Sequence, residues 1–166
     1  MKFFKRIKLK ERILFSGALF FIISYYFFQP VFLIESDKKI LFSKTAQSGQ
    51  KFSTRFIHSV QKTPVEEFFI INDDCDGFIL KSTRYQSFGV GLPFLETDGN
   101  FKNEGNFFIM DEINRSIKIL ELRTGLNTEL TLKIDEKILP LHEKFSAGSL
   151  IRIKILLRYK LLKEFF

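Results

Sequence analysis

Two short segments hold most of the side chains that could do chemistry. The run Arg55-Phe56-Ile57-His58-Ser59-Val60-Gln61-Lys62-Thr63-Pro64-Val65-Glu66-Glu67 supplies an imidazole, hydroxyls, an ammonium group and carboxylates. The run Tyr85-Gln86-Ser87-Phe88-Gly89-Val90-Gly91-Leu92-Pro93 supplies a phenol, a hydroxyl and glycines that let another backbone approach closely. His58 beside Ser59 suggests a hydrolase, but successive side chains of a strand point to opposite faces, so His58 cannot serve Ser59 as a base. The chain has one other histidine, His142, and no Gly-x-Ser-x-Gly elbow. No catalytic residue is expected, and the reading is non-enzymatic.

Metal and cofactor chemistry are equally poorly served. Asn72-Asp73-Asp74-Cys75-Asp76-Gly77 resembles the start of a calcium loop, but the closing glutamate position is Thr83, and no helices flank it. Two histidines and one cysteine offer no clustered zinc spacing. Gly89-Val90-Gly91-Leu92-Pro93 lacks the third glycine and following helix of a dinucleotide loop. No metal and no cofactor are expected.

The elements that position these residues read as strands. Phe52, Thr54, Phe56 and His58 alternate with Ser53, Arg55, Ile57 and Ser59. Further β-rich runs are 64–72, 77–87, 106–110, 116–122, 128–134 and 150–157, punctuated by Asp76-Gly77, Asp98-Gly99, Thr124-Gly125 and Ala147-Gly148. The fold class is all-β, an antiparallel sandwich or small barrel of about seven or eight strands. Residues 89–105 read as a long connection, and 159–166 as an extension of the last strand rather than an amphipathic turn. Centring the first hairpin on Lys62 places His58 opposite Glu66. Centring the next between Asp76 and Gly77 places Glu66 near Ser87 and Gly89 beside Pro64. Both signatures then share one end of a three-stranded sheet.

Charge places the domain. Of the formal net charge of +7, residues 1–12 supply +5, leaving +2 from Glu35 onward, too little for a basic nucleic-acid surface. Residues 13–34 carry no charge and as a helix would span roughly 33 Å, close to a hydrocarbon core of about 30 Å. They are read as one N-terminal transmembrane signal anchor in contact with membrane lipid, uncleaved because no small-residue cleavage site adjoins the run. The positive-inside rule puts residues 1–12 in the cytoplasm and makes 35–166 an extracytoplasmic β-domain on a short polar stalk, 35–39. Cys75 is the single cysteine, so no intrachain disulfide forms.

The two signatures resemble the domain of unknown function 1850 family, whose pattern runs His-Ser-Val-x-Lys-Thr-Pro-Val-x-Glu and then Ser-x-Gly-x-Gly-Leu-Pro. His58, Ser59, Val60, Lys62, Thr63, Pro64, Val65 and Glu66 match the first, and Tyr85, Ser87, Gly89, Gly91, Leu92 and Pro93 the second. Gln61 stands where an acid is frequent. The resemblance implies an accessory role beside tripartite ATP-independent periplasmic (TRAP) transporters of the TAXI type, with the permease or its solute receptor as partner. The expected binding surface comprises His58, Ser59, Lys62, Thr63, Pro64, Glu66, Tyr85, Ser87, Gly89, Gly91 and Pro93. Two alternatives stand beside it: an independent small-ligand-binding module with His58, Glu66 and Tyr85 lining a pocket, and an envelope hydrolase.

Overall fold

The uncharged run from Ile13 to Ile34 does not remain helical throughout. In a computed structural model that describes residues 9–37, 39–88 and 99–164, helix α1 spans Leu9–Phe27 and strand β1 spans Pro30–Ser36. Pro30 cannot continue a helix, because it lacks the backbone donor and its ring clashes with the preceding turn. Val31, Phe32, Leu33 and Ile34 are at most 2% exposed. A strand covered on both faces reads as an unbroken apolar run, which periodicity cannot tell from a helix. The expected boundary between anchor and domain at 34/35 therefore falls inside β1. The expected stalk is part strand as well, with Glu35 and Ser36 buried.

The strands that follow are β2 (Lys39–Thr45), β3 (Lys51–Ile57), β4 (Pro64–Ile71), β5 (Phe78–Tyr85), β6 (Asn100–Glu104) and β7 (Phe107–Asp111). Then come β8 (Arg115–Ile117), β9 (Ile119–Arg123), β10 (Thr131–Ile134), β11 (Lys137–Pro140), the short helix α2 (Leu141–Lys144), β12 (Leu150–Leu157) and helix α3 (Arg158–Glu164). One sheet has the order β2-β1-β12-β9. The other runs β11-β10-β3-β4-β5-β7-β6, with β8 also paired to β5. The described residues thus hold more strands than the sequence suggests. β6 lies in the presumed connection 89–105, and the C-terminal segment is helical rather than an extended strand.

The two sheets pack as a sandwich over one apolar core. Phe32 and Ile34 of β1, Leu120 of β9, and Ile151 and Ile153 of β12 meet Phe52, Phe69, Ile71, Phe78, Leu80, Leu132 and Ile134 of the larger sheet. Phe32 contacts the rings of Phe52 and Phe78 at 5.2 and 5.7 Å, and Phe52 stacks on Phe69 at 4.8 Å. At the edge of this core Lys154 Nζ meets Glu35 Oε1 at 2.7 Å, a nearly buried ion pair that satisfies one oxygen of the carboxylate. The compact β unit covers Pro30–Leu156.

A second unit joins Met1–Gln29 to Leu157–Phe166. Here the Arg158 amide donates to the Gln29 carbonyl at 2.9 Å, the Arg158 guanidinium lies 4.1 Å above the Tyr26 ring, and Phe28 meets Tyr159 at 5.6 Å. Large apolar side chains of α1 are exposed, among them Ile13, Leu14, Phe15, Phe20, Phe21 and Ile22. Among the described residues, no helix is long and apolar enough to cross a membrane. The 19-residue α1 includes Lys10, Glu11 and Arg12 in its opening turn.

These bounds decide where a soluble form can begin. A chain starting at Gln29 keeps β1 whole. A chain starting at Glu35 loses four buried side chains, each worth about 1.5–3 kcal/mol, out of a total stability of about 5–15 kcal/mol. The first is expected to give a β-type circular dichroism spectrum and a cooperative melt. The second is expected to lose the cooperative transition. A cooperative melt from the shorter form would show that β1 is dispensable.

Candidate functional site

The order β3-β4-β5 with antiparallel pairing agrees with the sequence expectation, but both registers differ by three residues. Arg55, not His58, lies opposite Glu66, and Glu66 lies opposite Arg84, not Ser87. The reasons are local. In the first loop the Lys62 amide donates to the His58 carbonyl at 2.9 Å, and the His58 amide donates to the Thr63 carbonyl at 2.9 Å. The His58 imidazole closes the same loop, its Nδ1 accepting from the backbone amides of Val60 (3.3 Å) and Gln61 (3.2 Å). In that role Nδ1 carries no proton, so the ring proton sits on Nε2. Lys62 takes φ 56° at the tip. His58 is thus the residue that holds the loop, and Glu66 is not its partner.

The second hairpin is displaced by Asn72. Its Oδ1 accepts from the amides of Asp76 (3.0 Å) and Gly77 (3.1 Å), and its Nδ2 donates to Asp76 Oδ1 at 2.7 Å. Positive φ falls on Cys75, at 49°. Gly77 is required for another reason, since a Cβ there would lie 2.8 Å from the Ile117 carbonyl oxygen. Asp76 also pairs with Lys118. Its hydrogen bond from Asn72, aided by Lys118, holds the carboxyl below its ordinary range. Within the acidic run that resembles a calcium loop, Asn72 and Asp76 are thus occupied with the turn, and Asp73 accepts from Ser48 Oγ at 2.8 Å.

The two signatures still converge at one end of the sheet, because Ser87 Oγ donates to Gln61 Oε1 at 3.1 Å. Around this contact the β3–β4 loop, the end of β5 and the β6–β7 hairpin meet. A cleft of about 410 Å³ is lined by Thr63, Gln86, Asn103, Gly105, Asn106 and Phe108. Thr63 Oγ1 is out of solvent with no hydrogen-bond partner among the described residues. Beside it, Phe88 lies 4.2 Å from Phe108 and 6.1 Å from Phe101, and Tyr85 lies 5.9 Å from Phe88. Phe88 is 51% and Phe101 38% exposed, and Val60 at the first loop tip is 71% exposed.

The expected site residues are therefore sorted as follows. His58, Ser59, Lys62, Thr63 and Pro64 lie at the first loop, and Ser87 joins them. Tyr85 is buried on the core side, opposite Val65, whereas Glu66 is half-buried and pairs with its neighbours Arg55 and Arg84, so Tyr85 and Glu66 do not line one pocket with His58. Gly89, Gly91 and Pro93 lie outside the described residues. Sequence reasoning missed Gln86, Asn103, Asn106, Phe88, Phe101 and Phe108. Asn103-Glu104-Gly105-Asn106 between two short apolar-containing runs is the hairpin signal that could have revealed Asn103, Asn106, Phe101 and Phe108.

Glu66 sits 3.7 Å from both Arg55 Nε and Arg84 Nη1. Arg84 also lies 3.7 Å over the Phe107 ring. The three charged side chains are part-exposed, so their pairing is worth about 0–1 kcal/mol. Glu66→Ala is expected to shift stability by no more than about 1 kcal/mol, measured by denaturant unfolding. A larger loss would show that Glu66 anchors the sheet.

Glu67 behaves differently. It lies in a polar row, Thr54–Glu67–Thr83, on the inward side of β3, β4 and β5. Thr54 Oγ1 donates to Glu67 Oε2 at 3.1 Å. Burial pushes the Glu67 carboxyl above its ordinary range, against the smaller opposing effects of that hydrogen bond and of Arg115. A carboxyl that titrates higher folded than unfolded holds its proton more tightly in the folded state. Its ionisation therefore costs stability as pH rises from the unfolded value through the folded one. Glu67→Gln is expected to raise the thermal midpoint at neutral pH, with the gain fading as pH falls toward about 4, where unfolded-state glutamates protonate. A gain that is the same at both pH values would show that proton uptake plays no part.

Comparison with curated proteins and with solved structures gives no match. Residues 52–141, which carry the first loop, the Asn72 turn, the aromatic cluster and the amide-lined cleft, match the family described as a domain of unknown function (DUF1850). The match covers more than half of the chain, and the chain belongs to that family.

Proposed function

We propose that this chain is a non-enzymatic, membrane-anchored accessory subunit of a solute transporter, and that the loop end of its larger sheet is the docking surface. The observation that carries this reading is the contact of Ser87 with Gln61, which ties the two signatures together beside exposed apolar side chains. Val60, Phe88 and Phe101 project from three separate segments at this end. Exposed apolar clusters rimmed by polar groups mark interaction surfaces. The partner is the permease or solute receptor of a TAXI-type TRAP system, a role drawn from the resemblance of the signatures.

The anchor in this proposal is α1, with residues 1–12 in the cytoplasm. A helix that presents large apolar side chains to its surroundings without covering them needs an apolar environment. Its uncharged part, residues 13–27, amounts to about 22 Å, and lysine and arginine at a helix end can extend toward the headgroups to make up the difference from the hydrocarbon core. The β unit then lies outside the cytoplasm. A second reading, a module that binds a neutral polar ligand, is favoured by the amide-lined cleft and the unsatisfied Thr63 hydroxyl. A polar group out of solvent and without a partner is costly, and a ligand donor would relieve it.

Two measurements test these statements. Affinity purification from membranes should recover transporter components with the parent chain and lose them with Phe88→Ser and Phe101→Ser, while both variants keep their unfolding midpoints. Full recovery with the folded variants would sink the docking surface. Cys75, part-exposed, reports topology. Burial and the neighbouring Asp73 and Asp74 push its thiol up, so labelling calls for alkaline buffer. An impermeant maleimide should label intact spheroplasts as fully as lysed ones. Labelling only after lysis would reverse the orientation.

A further inference from the structure

We infer that the outer face of the larger sheet is a binding groove for a small organic anion with a flat apolar body, of the class of aromatic carboxylates. This groove is separate from the loop end and does not rest on the docking proposal. Its volume is about 1170 Å³.

The groove is built from a cross-strand row. Lys133 of β10 lies opposite Ser53 of β3, Ser53 opposite Phe68 of β4, and Phe68 opposite Ser82 of β5. At about 4.8 Å between strands the row is roughly 14 Å long. Phe68 is 37% exposed, whereas its neighbour Phe69 is 2% exposed in the core. Ile70, opposite Lys51, extends the apolar floor. A flat ring laid on Phe68 would thus lie between two hydroxyl groups.

A β-bulge completes the wall. The register shifts between Phe68 and Phe69, which leaves Lys81 as the extra residue of β5. Leu80 and Thr83 on either side are both buried, so Lys81 and Ser82 both fall on the outer side. A regular strand would have turned one of the two inward, and bulges are a known means of re-aiming a side chain.

The charge of the lining selects the ligand. Lys44, Lys51, Lys81 and Lys133 face the groove, with Asp135 as the acid among its lining residues. Asp135 is already matched by Lys44 and accepts from Gln50 Nε2 at 3.0 Å. Lys81 Nζ donates to the amide oxygen of Asn114, a neutral partner, so its charge remains uncompensated. Lys51 and Lys133 have no ion-pair partner among the described residues, and both are exposed. The nearest acid on the next outward row, Glu66, lies between Arg55 and Arg84. Three ammonium groups around a phenylalanine floor therefore favour a carboxylate on an apolar body.

The test uses the full chain in lipid nanodiscs and phenylacetate as the probe, measured by equilibrium dialysis. Saturable binding is expected, weakened at least about tenfold in the double variant Lys51→Glu, Lys133→Glu and in Phe68→Ser. Lys144→Glu, a charge reversal on α2 outside the groove, should change it by less than about twofold. The unfolding midpoints of all variants should match the parent, and the double variant should still recover transporter components on purification, which separates this outcome from failure of the docking surface. Equal binding of neutral phenylacetamide would overturn the proposal. So would an equal loss in Lys144→Glu, or the absence of saturable binding. A poly-glutamate peptide bound in place of phenylacetate, and lost in the same variants, would assign the groove to an acidic partner segment and refute the small-molecule reading.

Discussion

The contact of Phe32 with Phe52 and Phe78 is the constraint on which the rest of the β unit depends. It joins the central strand of one sheet to β3 and β5 of the other. Phe52 and Phe78 also touch each other at 5.0 Å, and Phe52 stacks on Phe69 of β4. Once these rings face inward, the outward partners are determined, because side chains alternate along a strand and a slip of one residue would exchange the two faces. Arg55, Glu66, Ser53 and Phe68 are then outward, and the bulge at Lys81 turns Arg84 outward beside them. Both candidate surfaces follow from the inward placement of a few phenylalanines.

The same constraint explains what was legible in the sequence. Strands β3, β4, β5, β7 and β12 keep one face polar or mixed, so their alternation is visible, and the order of the central three follows from two short loops. β1 is covered on both faces and continues from an apolar helix without a polar residue to mark the change, except Gln29 and Pro30. Composition alone could not separate membrane-type helix from core strand there. β6 has no buried residue and few β-formers, so nothing distinguishes Asn100–Glu104 from a loop before its pairing with β7 is known. α3 is short and takes its place through contacts of Arg158 and Tyr159 that periodicity does not encode.

The register errors in the candidate site have one cause. Centring a turn by its most turn-like residues assumes that the loop's hydrogen bonds come from the backbone alone. Here side chains decide it: the His58 imidazole accepts two loop amides, and the Asn72 amide oxygen accepts two more. Each gathers the chain before the expected centre: the first pairing is displaced by three residues, and the second by four at the turn, of which the bulge at Lys81 restores one. The expected meeting of the two signatures survives because the two displacements act in the same direction. Ser87 then reaches Gln61 at the loop rather than Glu66 on the strand.

His58 illustrates how a residue that invites a catalytic reading can be committed to the structure of its own loop. With Nδ1 committed to two backbone donors, the ring gives rigidity to the loop that displays Val60 and Gln61. Rigid loops lower the ordering cost of association, since the entropy is lost on folding rather than on binding. Two side-chain arrangements thus prepare two surfaces on the same three strands: His58 fixes the loop end, and the bulge at Lys81 re-aims the middle of the outer face. Because both rest on one aromatic core, a core substitution disturbs them together. Substitutions at the exposed Phe88, or at Lys51 and Lys133, act on one surface each, so the two proposed roles can be tested separately by mutation.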